Sequence, residues 1–315
     1  MDRLLTTLKR GSICSSTLLL SYRPKREINQ TNYVMIYKRI KQTNLLATGT
    51  RATLAAFGLL LVTCTPRAFG WGITWADYFS TSSAPDSANW SYTTGSGGFG
   101  NQELETYVSS YANCHGISDG GSPTGQALQI EAQTDSSGRW YSARINTYGK
   151  YSFGQGTYLE FSCKFPNAGK GYWPAAWCLG TSGGNWPANG EIDVAESIDG
   201  DNDNWQTLHM PGANGSVYSP GTGEYSVGNA TSAYNRYGMW LDTSGSYINF
   251  ELNGNVIDTI YASSTPSGAT WEYWSPRQFY IILNCAIGGT FPGNPNSGTQ
   301  DNGNFDIAYV EVYQN

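Results

Sequence analysis

Three carboxylates crowd into six consecutive residues of GEIDVAESIDG (190–200): Glu191, Asp193 and Glu196. Charged residues make up only 13 % of the chain, so this density of like charge stands out. Carboxyl groups held this close repel one another, and at least one then keeps its proton above the usual carboxylate range. A protonated carboxyl facing an ionised one is a general acid opposite a nucleophile or base. Retaining cleavage of a glycosidic bond uses such a pair, with the two groups about 5–5.5 Å apart.

The strand that carries the cluster must bring the two glutamates to one side. Side chains alternate along a strand, so Glu191 and Asp193 share a face while Ile192 and Val194 make the other face apolar. Strict alternation turns Glu196 away. A one-residue bulge at Val194–Ala195 returns it to the acidic face, four strand steps or about 13 Å from Glu191 between Cα atoms, with the side chains leaning together. The alternative is a solvated acidic edge strand running on into Asp199, Asp201 and Asp203. Ile192 and Val194 argue against it, because they suit a dry face. DGDNDNW also lacks the central Gly and terminal Glu of an EF-hand loop and is expected to be a polar loop.

The surrounding sequence supplies strands throughout. Gly (38), Tyr (22) and Trp (11) are abundant, as in turn-rich β architectures. ALQIEAQ, RWYSARI, GTYLEFSCKF, YWPAAWCLG, RYGMWLD, SYINFEL, VIDTIY and RQFYIILNCAIGG are β-forming runs separated by Gly/Asn/Ser/Pro clusters. SYINFELNGNVIDTI predicts a hairpin turning at Asn253-Gly254, and NFDIAYVEVYQN predicts a strand sewn into the sheet. A dozen or so strands without helical periodicity or internal repeats predict an all-β, two-sheet β-sandwich of jelly-roll type. No linker interrupts residues 71–315, which are expected to form one domain.

Charge divides the chain. Residues 1–70 hold 11 Lys and Arg against two acidic groups, whereas residues 71–315 hold 7 against 22, a net of 7 − 22 = −15. The acidic part has no basic face for nucleic acid, and a neutral polymer is not repelled by it. The apolar run ATLAAFGLLLVTC, Ala52 to Cys64, follows Lys38, Arg39, Lys41 and Arg51. It is short for a membrane span and suits a signal-peptide core. Residues 1–70 are therefore expected to be a targeting segment, a signal peptide or signal anchor starting at Met1 or Met35, with cleavage after Gly70 and a secreted product. Membrane association is expected only if the segment is retained as an anchor. Asn89, Asn214 and Asn229 head glycosylation triplets. Cys114, Cys163, Cys178 and Cys285 permit three pairings, and several sit in apolar runs where buried thiols are an equal expectation.

GEIDVAE resembles the active-site strand of glycoside hydrolase family 16, in the branch with two residues between the Asp and the second Glu that includes laminarinase-like endo-β-1,3-glucanases. GGFGNQELETY, SARINTYGKYSFGQGTYLEFSCKFP, GYWPAAWCLG, RYGMWL, FELNG, ILNCAIGG and YVEVYQ follow in the family's order, so the resemblance spans Trp71 to Asn315. It implies a concanavalin-like jelly roll with a cleft on the concave sheet. The implied activity is retaining, endo-acting hydrolysis of β-1,3-glucan through a covalent glycosyl-enzyme, by a monomer and with no catalytic cofactor. A mixed-linkage β-1,3-1,4-glucanase and a β-glucan transglycosylase would use the same site. A glucan-binding recognition protein would typically have lost one or both glutamates, which are present here.

Carried over, the resemblance makes Glu191 the nucleophile and Glu196 the acid and later the base, with Asp193 holding a hydrogen bond to the nucleophile. Trp173 and Trp177, on one strand face of YWPAAW, would stack on sugar rings, with Trp186 as a third. Arg144 would reach the sugar near the cleavage point, and Asn101, His209 and Asn284 fall at cleft positions. Two histidines in the whole chain make no metal-ligand set. Phe153–Gln155 departs from the family's YGR. Ala308 stands where relatives often carry an Asp of a structural calcium site, leaving Asp306 as its available substitute.

Overall fold

The computed structural model describes residues 72–79 and 83–314; the expected targeting segment and cleavage site lie outside them. The described residues form two sheets, of ten and eight strands, paired antiparallel except for one short parallel contact between Thr106–Tyr107 and Trp140–Ser142. The helical segments among them are three short 3-10 turns. The two-sheet all-β expectation therefore holds, with more strands than the dozen or so anticipated. The surplus comes from short pieces such as Ser91–Tyr92 and Val217–Tyr218, which leave little periodicity to detect.

The ten-stranded sheet is built around the last strand, Gly303–Gln314, which pairs with Thr157–Lys164 on one side and with Gly72–Asp77 and Gln126–Thr134 on the other. The eight-stranded sheet carries the acidic cluster at its middle. Its order is Val217–Tyr218, Asp203–Pro211, Glu191–Glu196, Tyr172–Gly180, Phe279–Ile287, Arg144–Asn146 and Ser91–Tyr92, with Gly221–Ser226 also pairing along Asp203–Pro211. The two sheets bury alternate residues against each other. Ile192, Val194, Leu208, Ala176, Cys178, Ile281 and Leu283 come from one side, and Leu159, Phe161, Met239, Ile130, Ile307 and Val312 from the other, all essentially inaccessible.

Some local readings are refined. RWYSARI is not one strand: Trp140–Ser142 belongs to the ten-stranded sheet and Arg144–Asn146 to the eight-stranded one. The chain changes sheets at the fully buried Ala143. The Asn253-Gly254 hairpin forms as expected, joining Tyr247–Leu252 to Asn255–Tyr261 with both turn residues at positive φ, 49° and 89°, the conformation that Asn-Gly favours. Cys114, Cys163, Cys178 and Cys285 are buried free thiols, packed as small apolar groups.

Asp306 does not replace the carboxylate missing at Ala308. It accepts from Gln129 Nε2 at 3.0 Å and pairs with Lys164 Nζ at 3.1 Å, and Lys164 also pairs with Asp119 at 3.2 Å. An ammonium group already supplies the positive charge among these carboxylates, so these side chains do not fit a calcium site.

Candidate active site

The acidic strand bulges as its pattern requires. Against Tyr172–Gly180 its register slips between Asp193 and Ala195, and against Asp203–Pro211 between Asp193 and Glu196. Glu196 comes into register with Ala175 and Trp205, while Asp193 faces Trp177 and Thr207 and Glu191 faces Leu179 and His209. All of these residues line one trough of about 770 Å³, with Arg144, Asn284 and Asn101 along the same wall system.

A bulge breaks ladder hydrogen bonds, and two side chains of the neighbouring strand supply them here. Gln206 Nε2 donates to the Val194 carbonyl at 2.8 Å, and Asn204 Oδ1 accepts from the Glu196 N–H at 2.9 Å. Both side chains are fully buried. Sequence reasoning missed them, although they share strand parity with Leu208 and Met210 and are therefore polar residues on an apolar face. At the strand's entry, a Cβ on Gly180 would fall 1.8 Å from the Asn189 carbonyl, so only glycine lets the chain turn in there. The buried Tyr273 hydroxyl bridges the carbonyls of Glu191 (2.7 Å) and His209 (2.9 Å), fixing the two strands side by side.

Each carboxyl has its own partner. Trp186 Nε1 donates to Glu191 Oε2 at 3.1 Å, and Trp173 Nε1 donates to Glu196 Oε1 at 2.5 Å. His209 Nε2 lies 3.1 Å from Asp193 Oδ2 and 3.8 Å from Glu191 Oε1, while its Nδ1 meets the Ser219 hydroxyl at 2.8 Å. Glu191, Asp193 and His209 each bring one ligand atom within 4.8 Å of the others, a spacing that a cation would accept and that the His209–Asp193 contact already explains. Burial raises all three carboxyls above their ordinary range, and the charge of Asp193 pushes Glu191 and Glu196 further up. His209 opposes the rise at both glutamates, helped by Arg144 at Glu191 and by the Trp173 N–H at Glu196. Three such groups do not all ionise together, so the cluster keeps a proton near neutral pH.

The remaining expected residues also meet here. Trp177 Nε1 donates to Asn284 Oδ1 at 2.7 Å, and Asn284 Nδ2 donates to the Tyr107 hydroxyl at 3.2 Å. That hydroxyl donates to Glu103, which also accepts from Asn101 Nδ2 at 3.2 Å. The Arg144 guanidinium lies over the Trp177 ring at 4.9 Å and the Phe99 ring at 5.3 Å. Glu103, Phe99, Trp205 and Phe291 line the trough as well and were not anticipated. A carboxylic acid and a carboxylate on one floor, under aromatic walls, can exchange a proton and a glycosyl group.

Comparison with known proteins agrees. The family model for the XgeA-like, catalytic GH16 domain matches residues 106–238. A β-glucanase of Rhodothermus marinus is 31 % identical over 78 % of this chain and 85 % of its own length. The chain belongs to glycoside hydrolase family 16. The structure of this family 16 enzyme superposes on an endo-1,3-β-glucanase from Streptomyces sioyaensis with a TM-score of 0.65 at 30 % identity, covering 78 % of this chain and 96 % of that one. The family is chemically broad: a keratan-sulfate endo-1,4-β-galactosidase of Sphingobacterium multivorum is 30 % identical over 76 % of this chain and 54 % of its own length.

Proposed function

We propose that the chain is a retaining endo-β-1,3-glucanase in which Glu191 is the nucleophile and Glu196 the acid and base. The observation that carries this reading is the bulge that sets Glu191, Asp193 and Glu196 on one floor of the trough. In the first step Glu191 attacks the anomeric carbon while Glu196 gives its proton to the departing glycosidic oxygen; in the second Glu196 takes a proton from water, which displaces Glu191. Burial and the Asp193 charge raise both glutamates and each accepts a Trp N–H, so the assignment of nucleophile and acid follows the order of the two residues in the family's strand, with the Arg144 charge favouring the ionised form of Glu191. The hydrogen bond expected from Asp193 to Glu191 does not form; Asp193 lies 3.1 Å from His209 Nε2 instead and acts on the nucleophile through its charge. None of these steps draws on a cofactor.

The substrate class follows from charge as well as from likeness to the glucanases. The trough carries Glu103, Glu191, Asp193 and Glu196, and its Arg144 is engaged with two aromatic rings. A sulfated or carboxylated polymer would meet repulsion there, whereas a neutral glucan would not. The test is hydrolysis of laminarin by the wild type and by Glu191→Gln and Glu196→Gln. The wild type is expected to release oligosaccharides, and each variant to lose at least about a thousandfold in kcat. Retained activity in either variant removes that residue from its role. Cleavage of a sulfated galactan in preference to laminarin removes the substrate assignment.

A further inference from the structure

A fourth buried acid lies outside the catalytic cluster. The segment that carries Asn101 runs beside the end of Phe279–Ile287: Glu103 bridges Gly288, and the Leu104 N–H donates to the Ile287 carbonyl at 2.8 Å. Alternation puts Glu103, Glu105 and Tyr107 on one side of this segment, while Leu104 is exposed. Glu105 is 1 % exposed. Its Oε2 accepts from the Ile287 N–H at 2.7 Å. Its Oε1, also buried, meets no N–H or O–H among the described residues. What stands within hydrogen-bonding reach of this carboxyl is the carboxyl of Glu103. Two carboxylates do not make such a contact unless one of them is protonated. Glu103 lines the trough and already accepts from Asn101 Nδ2 at 3.2 Å and from the Tyr107 hydroxyl at 3.0 Å, donors that favour its charged form. The proton therefore falls to Glu105.

We propose that Glu105 is a positioning residue that donates its carboxyl proton to Glu103 and so fixes the direction of the hydrogen-bond chain running through Tyr107 and Asn284 to Trp177. With Glu105 as a donor, Glu103 is an acceptor only. The Tyr107 hydroxyl must then give its proton to Glu103 and accept from Asn284 Nδ2, which turns Asn284 Oδ1 toward Trp177 Nε1. Asn101 and Trp177 are thereby held in one arrangement before a sugar arrives, and binding does not have to order them. The inference rests on the reading of the trough as the glucan site. Burial, and then the Glu103 carboxyl, raise Glu105 from its ordinary 4.5 to about 8. Tyr107 and Cys285 also face it; burial holds both neutral, and the Glu105 charge would add to the rise of each. Arg144, the cation of this wall, acts on Tyr107 and lies over the Trp177 and Phe99 rings. When Glu105 ionises, two like charges meet away from water. Glu103 must then draw back, releasing Asn101 and Tyr107.

The experiment pairs laminarin kinetics with infrared spectra of the same full-length proteins. Glu105→Gln keeps an acceptor for the Ile287 N–H and a donor for Glu103 but has no proton to lose; Glu105→Leu keeps neither. At about pH 6, Glu105→Gln is expected to hold the wild-type KM within about twofold. Glu105→Leu should raise it about tenfold, the worth of a hydrogen bond to a charged group, with kcat changed less than about twofold. Between about pH 7 and about pH 9 the ratio of wild-type KM to Glu105→Gln KM should climb severalfold, because only the wild type loses the donor. The wild-type spectrum at about pH 6 should carry a protonated-carboxyl stretch that Glu105→Gln lacks. A Gln variant as impaired as the Leu variant, or a KM ratio that stays level with pH, overturns the proposal. Where Glu105→Leu fails to fold, the Gln ratio decides alone. A wild type that does not cleave laminarin overturns the glucanase reading instead; the infrared band then decides Glu105, and its absence from the wild type overturns the proton on that residue.

Discussion

Trp173 donates its indole N–H to Glu196 Oε1 at 2.5 Å, so one wall of the trough also sets the proton affinity of the carboxyl at its floor. Burial and the Asp193 charge raise that carboxyl, and the indole holds it down. Trp173→Phe keeps a ring and removes the donor, which leaves the charged form less favoured. The alkaline limb of the kcat/KM profile, which reports the essential acid, is expected to move up by about one pH unit, the worth of a hydrogen bond to a charged group. A limb that stays in place or moves down contradicts this role for Trp173.

Asp193→Asn should move the same limb the other way. Its charge raises both Glu191 and Glu196, so neutralising it lowers the acid's pKa, and activity is lost at a lower pH by about one unit. The maximum rate should also fall, because His209 loses the carboxylate 3.1 Å from its Nε2. Paired pH profiles of Trp173→Phe and Asp193→Asn that shift in the same direction would break the account of both.

Asn204 and Gln206 are expected to control the rate without touching substrate. Gln206→Met leaves the Val194 carbonyl without its donor at 2.8 Å, and Asn204→Leu leaves the Glu196 N–H without its acceptor at 2.9 Å, each at about 1–3 kcal/mol for a buried group left unpaired. With the bulge relaxed, Glu196 moves off its position. We expect kcat to fall about tenfold with KM changed less than about twofold, since the interaction lost belongs to the transition state. In a Glu196→Gln background the further loss should vanish, because the two changes act on one group. A change carried by KM instead would make these residues supports of the trough and not of the acid.

The sequence exposed the acidic floor because carboxylates and apolar residues alternate in EIDVAE, and the bulge is the one device that puts Glu191 and Glu196 on the same side. Trp173, Ala175 and Trp177 were legible for the same reason of parity. Asn204 and Gln206 were not, because DNWQTLHM resembles an ordinary half-solvated strand until Leu208 and Met210 fix which face is dry. Phe291 was hidden for another reason: it reaches Trp173 and Trp205 through the path of a Gly-rich and Pro-rich loop, and loop paths carry no periodicity. The division of RWYSARI between two sheets was equally silent, since Ala143 suits either side.

The buried acids should make the fold weaker as pH rises. A carboxyl whose pKa is raised on folding binds more protons folded than unfolded between its two pKa values, so stability falls as pH climbs through that window. Glu196 is pushed from its ordinary 4.5 to about 8, chiefly by burial. Glu196→Gln keeps the shape and the acceptor for Trp173 while removing the titration. Urea unfolding is expected to show the variant more stable than wild type at about pH 8, with the margin shrinking toward about pH 5, where both proteins hold a neutral group at this position. The margin should be partial, because Glu191 and Asp193 are raised in the same way and remain in place. A margin that is flat across this range, or that grows toward acid, would mean that Glu196 carries its charge in the folded enzyme and is not the proton donor.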